Sequence, residues 1–202
     1  MPRLLFAWKT RVCLALGMLS LAFLLRDRLE STMALHMLVQ IPAIVVAGLL
    51  AAGAVAGTGR RAASFDAYGL TGLSVFMLAT AYWMIPRALE IALTSPAMEA
   101  AKFLSLFIAG MMLRASLSRA NAILRVFFVG NLSSMMAIAG LLYQEAPQRL
   151  CNLYLYDDQL ITGTGLVVLA VLIPAAWAAD YFASSLKREK RLAEPDCADS
   201  LY

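Results

Sequence analysis

Long apolar runs dominate this chain and constrain its fold more than any other feature. Six of them lie at residues 12–25, 33–57, 68–85, 97–113, 123–143 and 160–182. A helix that crosses a bilayer needs roughly 20 apolar residues, whereas a spanning strand needs only about 10 in an alternating pattern. The runs are continuous, and only 15% of the residues are charged, against roughly a quarter in soluble domains. The sequence therefore predicts an all-α integral membrane protein, a bundle of six transmembrane helices.

The first run allows two interpretations. It is short for a span, although Arg11 and Arg26 at its ends could extend outward and lengthen its reach. A basic stretch with Arg3, Lys9 and Arg11 would also suit a signal peptide. No small-residue cleavage site follows, and the charged triplet at residues 26–28 comes directly after the run. A retained helix is therefore the favoured interpretation.

The positive charges set the predicted orientation. If all six helices span, four basic groups fall on one side: Arg3, Lys9 and Arg11; Arg60 and Arg61; Arg114, Arg119 and Arg125; Lys187, Arg188, Lys190 and Arg191. Lysine and arginine collect in cytoplasmic loops, so both termini are predicted to be cytoplasmic. Residues 1–192 are then one transmembrane domain, and residues 193–202 are predicted to be a disordered cytoplasmic tail.

The remaining composition argues against several classes of function. Aromatic residues lie inside or beside apolar runs, without the mixture of basic and aromatic residues that single-strand binders use, so nucleic acid is not an expected partner. Cys13, Cys151 and Cys197 show no CxxC and no regular spacing, which argues against a disulfide framework or a zinc site. The sequence has no HExxH, no GxSxG with a partner histidine, no P-loop and no Rossmann glycine pattern. It is therefore not expected to be an enzyme.

The single histidine of the chain belongs to the most suggestive polar motif. Met33, His36, Met37 and Gln40 are spaced i, i+3, i+4 and i+7, so an α-helix places all four on one stripe at the outer end of the second run. Two thioethers and an imidazole suit a soft ion such as Cu(I). The alternative is simple packing, because methionine commonly fills membrane cores and a lone histidine is often a hydrogen-bonded packing residue.

Other polar residues are predicted at the same outer level. They are Trp83 at the end of the third run and Pro86 just after it, Met98, Glu99 and Lys102 at the start of the fourth, and Asp157, Asp158 and Gln159 before the sixth. Each has a plain structural explanation. Trp83 would fit an interfacial aromatic belt, the two aspartates could cap a helix, and Glu99 could neutralise Lys102 one turn away.

Three segments together resemble the CtaG-like family of cytochrome c oxidase assembly factors, multi-helix membrane proteins implicated in copper delivery to the oxidase. STMALHMLVQIP at residues 31–42 is similar to the family's histidine-bearing helix start. YWMIPRALEIAL at residues 82–93 resembles its Trp-x-x-Pro segment, where a helix stops and a short amphipathic stretch leads to the next span at Ser95-Pro96. DQLITG at residues 158–163 resembles its Asp-Gln-x-x-x-Gly opening of a late helix.

The resemblance implies an assembly factor in the inner (plasma) membrane of a bacterium, surrounded by lipid and in contact with other membrane subunits such as an oxidase subunit. It implies that His36, Met33 and Met37 bind or pass Cu(I) on the outer face, with Met98 as a fourth donor. The residues expected to orient ligands or contact partners are Gln40, Trp83, Pro86, Glu99, Asp158 and Gln159.

The chain also departs from the family pattern. Met98 and Lys102 stand where family members carry additional histidines, and one histidine cannot supply a multi-imidazole copper site. The alternative function is therefore a non-catalytic scaffold or accessory subunit of a larger membrane complex, with metal handling lost. A small transporter is the least favoured function, because the charges sit at the ends of the apolar runs and no inverted pair of broken helices is evident.

Overall fold

The structure of this chain is a computed structural model in which every regular element of the described part is helical. It describes residues 2–55, 66, 68–151 and 153–193, with residues 2–8, 53–55, 188 and 190–193 described as backbone only. A π-helical turn, His36–Gln40, joins the third helix to the fourth. In chain order the helices are α1 (Pro2–Leu24), α2 (Arg26–Leu29), α3 (Met33–Leu35), α4 (Ile41–Val55), α5 (Leu70–Trp83), α6 (Pro86–Thr94), α7 (Pro96–Arg119), α8 (Ala122–Glu145) and α9 (Tyr156–Ala193).

Among the residues that the structure describes, four helical stretches are long and apolar enough to cross a membrane. They are Met33–Ala52, Pro96–Arg119, Ala122–Glu145 and Tyr156–Lys187. The helices α5 and α6 add a fifth if they form one broken span, bent by 76°. The prediction of a helical protein with several membrane-compatible helices is therefore confirmed at the level of four to five candidate spans. Six spans and cytoplasmic termini stay predictions.

Some predicted features fall outside these candidate spans or outside the described residues. The run at residues 12–25 is helical as far as Leu24, within α1, and its role as a span stays a prediction. The run at residues 160–182 belongs to the longer helix α9, because the lysines and arginines that follow it are good helix formers and continue the helix to Ala193. Ala193, the first residue of the predicted tail at 193–202, is the last residue of α9. The rest of that tail lies outside the described residues, as do Arg60, Arg61 and Cys197.

Close backbone contacts at small residues organise the bundle. Helices α4 and α7 meet at Gly48 and Gly110, where a Cβ atom on either residue would collide with backbone of the other helix. Helices α8 and α9 meet at Gly140 and Gly163, where a Cβ on either would lie 2.6 Å from the carbonyl oxygen of the other. Small residues permit this approach between membrane helices. Helix α5 packs on α7 but contacts α8 only lightly, which leaves a groove between α5 and α8.

A carboxylate fixes α5 against the last turns of α7. The Oδ1 atom of Asp66 accepts hydrogen bonds from the backbone N–H groups of Thr71 and Gly72, at 3.1 and 3.4 Å. Its Oδ2 atom accepts from Ser116 Oγ at 2.6 Å and from Arg119 Nη1 at 3.2 Å. Asp66 therefore satisfies orphan donors at the start of α5 and defines one end of the bundle. The polar residues that the sequence singled out lie toward the other end of α7.

Candidate functional site

The π-helical turn directs His36 and Gln40 into the bundle. Pro42 has no N–H group to offer the carbonyl four residues before it, and the helix widens into a π turn just ahead of this proline. Met33, His36, Met37 and Gln40 are all buried. The stripe that the sequence places on one helix face therefore points inward, toward α7 and the segment before α9.

The side chain of Lys102, on α7, is completely buried and fully hydrogen-bonded. Its Nζ atom lies 2.6 Å from Oε1 of Glu30, 2.8 Å from Nε2 of His36 and 3.0 Å from Oε1 of Gln40. An ammonium group has three N–H donors and no acceptor, so these contacts use all of them. Glu30, with a side chain only 12% exposed, supplies the opposite charge that a buried lysine needs.

Both ring nitrogens of His36 are occupied. Because the ammonium of Lys102 can only donate, Nε2 is an acceptor and the hydrogen-bond network assigns the ring proton to Nδ1. Nδ1 lies 2.9 Å from the hydroxyl oxygen of Tyr154, and that hydroxyl donates to the backbone carbonyl of Glu30 at 3.1 Å. The hydrogen bonds therefore run in one direction: Lys102 donates to His36, His36 donates to Tyr154, and Tyr154 donates to the carbonyl of Glu30.

Five residues form this network, which we call the charge cluster: Glu30, His36, Gln40, Lys102 and Tyr154. Gln40 closes it, because its Nε2 atom donates to Oε1 of Glu30 at 2.9 Å while its Oε1 accepts from Lys102. The members come from the α2–α3 connection, the π-helical turn, α7 and the segment before α9. The cluster therefore ties together parts of the chain that are far apart in sequence.

A second ion pair covers the cluster on its surface side. Arg26 Nη1 lies 3.1 and 3.2 Å from the two carboxylate oxygens of Glu99. Glu99 is not the direct ion-pair partner of Lys102 that the sequence suggested, because Lys102 turns into the bundle to reach Glu30 whereas Glu99 faces Arg26. Glu99 keeps 15% of its side chain exposed, and Arg26 keeps 42%.

Trp83 and Gln159 make structural hydrogen bonds beside the cluster. The buried indole N–H of Trp83 donates to Ser105 Oγ at 2.9 Å, which ties the end of α5 to α7. Gln159, at the start of α9, donates to the carbonyl of Tyr143 at 2.9 Å and accepts the N–H of Leu150 at 2.9 Å. The Tyr143 hydroxyl in turn donates to the carbonyl of Met84 at the α5–α6 break.

The remaining predicted residues make no hydrogen bond or ion pair to the cluster among the described residues. Met98 is half-buried in the first turn of α7, one turn before Lys102. Pro86 is the first residue of α6, where its missing N–H costs nothing. Asp158 is half-buried in the first turn of α9, and its backbone carbonyl accepts from Thr162 at 2.6 Å.

Burial keeps two groups in the α8–α9 connection protonated. It raises the pKa of the Tyr154 hydroxyl above its usual value, so this group stays a donor near neutral pH. It also raises the pKa of the Cys151 thiol, which lies three residues earlier in the same connection. Tyr154 therefore acts in the cluster as a neutral hydroxyl.

This arrangement does not fit Cu(I) bound by His36. Neither imidazole nitrogen has a free lone pair directed at open space, and the Lys102 ammonium stands 2.8 Å from Nε2, where it would repel a metal cation. The part of the chain that the structure describes also holds no group of three or more His, Cys, Asp or Glu that could bind a metal. Copper at Met33, His36, Met37 and Met98 would require the cluster to open.

The sequence alone did not identify Glu30 and Tyr154 as members of the site. Lys102 is the one lysine inside any of the six apolar runs, and an ionisable residue within a membrane segment predicts a buried partner. That signal pointed to Lys102, yet its partner could not be chosen without the fold. The sequence around Tyr154 does not indicate its role, because that role depends on how the α8–α9 connection folds back onto the π-helical turn.

Comparisons with known proteins gave no match. No protein-family model matches the chain, and neither a curated protein nor a solved structure matches it. The charge cluster and the helices around it are therefore the basis on which a function is inferred.

Proposed function

We propose that this chain is a membrane-embedded scaffold, an accessory or assembly subunit of a larger membrane complex that does not carry copper at His36. One observation carries the proposal: Lys102 and Tyr154 occupy the two ring nitrogens of His36, at 2.8 and 2.9 Å. His36 and Gln40, which belong to the motif that suits a soft metal ion, hold one end of the bundle together through hydrogen bonds.

The charge cluster favours one packing arrangement of the helices over others. The Lys102–Glu30 contact joins residues 72 apart in sequence, and the His36–Tyr154 contact joins residues 118 apart. Desolvating a lysine and a glutamate is costly, so such a pair contributes conformational specificity more readily than net stability. A rigid end of the bundle is what a protein needs if it presents a fixed surface to a partner.

The three segments that resemble the CtaG-like family converge at this end. The π-helical turn holds two cluster members, the α5–α6 break is tied to α8 through Tyr143, and the opening of α9 is tied to the same tyrosine through Gln159. This convergence supports a shared partner-facing role for the three segments. The resemblance then suggests a copper-containing respiratory oxidase in a bacterial inner membrane as the client.

A Cu(I)-passing assembly factor is the second candidate. The observation that favours it is the burial of Met33 and Met37 in the same short stretch as His36. Thioethers and an imidazole would suit Cu(I) once Lys102 had left Nε2. This candidate differs from the scaffold in one measurable respect, because it makes the metal content of the client depend on this chain.

Deletion of the gene, followed by isolation of the respiratory oxidase from membranes, separates the two candidates. The scaffold predicts less assembled oxidase, with an unchanged ratio of copper to haem in the oxidase that remains. It also predicts that the tagged chain co-purifies with the complex in a fixed ratio in mild detergent. Normal amounts of oxidase that has lost copper would overturn the scaffold proposal, and complementation with the intact gene is the control.

A further inference from the structure

Helix α8 carries polar side chains on its lipid-facing side near its middle. The helix runs from Ala122 to Glu145, and Asn131 and Ser134 lie on either side of its midpoint. Both are exposed, on the same side as Phe127 and Ile138, which are 63% and 60% exposed. Only 17% of the apolar window of α8 is buried, the smallest share among the four candidate spans. Within the described part of the chain, this side of α8 stays exposed.

The amide of Asn131 is unpaired within the described part of the chain. Among the described residues, the side chains of Asn131 and Ser134 have no hydrogen-bond partner, whereas neighbouring Ser133 donates to the carbonyl of Val129 at 2.9 Å. The hydrocarbon core offers no water, so an amide left unpaired there costs free energy. A polar side chain at this depth therefore indicates a contact with another hydrogen-bonding group.

The surface around Asn131 is open and permits close approach. A Cβ atom added at Gly130 would meet nothing within 4 Å, so a second helix could reach the backbone there. Gly130 and Ser134 are four residues apart, a spacing of small residues that membrane helix pairs use. Asn131 and Ser134 also line the groove between α5 and α8, a cavity of about 640 Å³ that is otherwise mostly apolar.

We propose that this face of α8 is the contact between two copies of the chain, related by a twofold axis along the membrane normal. Two copies inserted in the same orientation place their α8 helices side by side and parallel, with residue 131 of both at the same depth. A carboxamide has both donors and an acceptor, so Asn131 and the partner's Asn131 can satisfy each other. No charged residue lies between residues 126 and 143, so the two faces meet without like-charge repulsion.

A second copy explains the site better than the other occupants. An acyl chain fills an apolar groove but has no group that could pair with an amide. A helix of another protein would pair with Asn131 only if it carried a hydrogen-bonding side chain at this depth. The second copy supplies that group by symmetry.

Disulfide cross-linking in native membranes tests the contact. In a variant with Cys13, Cys151 and Cys197 replaced by Ala, Asn131→Cys is compared with Leu172→Cys on α9. Gly140 of α8 and Gly163 of α9 are in close contact, and the two helices are antiparallel. Residue 131 lies nine residues before Gly140 and residue 172 lies nine after Gly163, so both are at the same depth. Leu172 is also lipid-facing, at 55% exposure. Oxidation with iodine is expected to give a covalent dimer from position 131 and none from position 172. No dimer at 131, equal dimer at both, or a cross-link from 131 to a different protein would overturn the proposal.

Energy transfer between labelled chains in liposomes provides a measurement that does not depend on engineered cysteines at the contact. Asn131→Leu keeps the approximate size of the side chain and is expected to weaken self-association roughly three- to tenfold, as for one or two membrane hydrogen bonds. Thr164→Val is the matched control, since this exposed hydroxyl already donates to the carbonyl of Leu160 at 3.0 Å. A monomeric unsubstituted chain, or unchanged association in Asn131→Leu, would contradict the proposal, whatever the copper content of any partner complex.

Discussion

The Nζ atom of Lys102 lies 2.8 Å from Nε2 of His36, so a buried ammonium group occupies the nitrogen that a metal ion would need. Glu30 neutralises that ammonium at 2.6 Å, and Tyr154 holds the other ring nitrogen. The position of Lys102 makes the single histidine of the chain a structural hydrogen-bonding residue. A motif that suits Cu(I) by residue type is thereby used to hold one end of the helix bundle.

Lys102→Met is expected to destabilise the protein strongly. The substitution leaves the Glu30 carboxylate buried without its counter-charge, and removing one partner of a buried ion pair typically costs about 3–5 kcal/mol. The midpoint of thermal unfolding in detergent, followed by circular dichroism, should fall well below that of the unsubstituted protein. Lys187→Met is the matched control, because Lys187 is exposed, and it should leave the midpoint nearly unchanged.

The double variant Lys102→Met/Glu30→Gln separates charge from packing. Removing both charges abolishes the unpaired carboxylate, so the double variant should be more stable than Lys102→Met alone. A double variant as unstable as the sum of the two single variants would mean that Lys102 and Glu30 do not interact in the way that the structure shows.

Tyr154→Phe is expected to lower stability by about 1–3 kcal/mol, because it leaves Nδ1–H of His36 and the carbonyl of Glu30 without their shared partner. Tyr181→Phe makes the same chemical change at an exposed tyrosine and should have no comparable effect. The measurement is again the unfolding midpoint under identical detergent conditions. Equal midpoints for the two variants would remove Tyr154 from the charge cluster.

The general architecture follows from the sequence because hydrophobic length is a local property. Continuous apolar runs predicted helices at 97–113 and 123–143, and the structure has membrane-compatible helices α7 and α8 there. The stripe of Met33, His36, Met37 and Gln40 also lies on one buried face, although through a π-helical turn that the presence of Pro42 could have indicated.

The partners within the site did not follow from the sequence, because they depend on contacts between distant segments. Glu99 lies one turn from Lys102, which made it the obvious counter-ion, yet the fold brings Glu30 to Lys102 and Arg26 to Glu99. Residue type alone indicates that the stripe suits a soft metal ion. Whether an imidazole nitrogen is available to a metal is decided by its neighbours, here Lys102 and Tyr154.

Gly140→Ala tests the contact between α8 and α9. The added Cβ would lie 2.6 Å from the carbonyl oxygen of Gly163, so the helices must separate, and overpacking of this kind typically costs about 1–3 kcal/mol. Gly17→Ala is the control, because a Cβ there meets nothing within 4 Å and alanine favours a helix over glycine by about 1 kcal/mol. A Gly140→Ala protein with an undiminished unfolding midpoint would contradict the close crossing of the two helices.

Cys151 should react slowly with alkylating reagents. Burial raises the pKa of its thiol, so the reactive thiolate is scarcer at pH 7.5 than in a free cysteine, whose pKa is about 8.5. In a variant with Cys13 and Cys197 replaced by Ala, the rate of labelling by iodoacetamide should stay low near neutral pH and increase only at higher pH. The same variant unfolded in detergent serves as the control, and equal rates in both states would show that Cys151 is accessible and ionises normally.

The most direct test of the central claim is the copper content of the purified chain. The protein is loaded anaerobically with Cu(I) in detergent, desalted and measured by elemental analysis beside the variant Met33→Ala/His36→Ala/Met37→Ala. Because Lys102 and Tyr154 hold both nitrogens of His36, we expect no stoichiometric copper in either protein. Retention of about one copper per chain in the unsubstituted protein, lost in the triple variant, would contradict this account and establish a soft metal site.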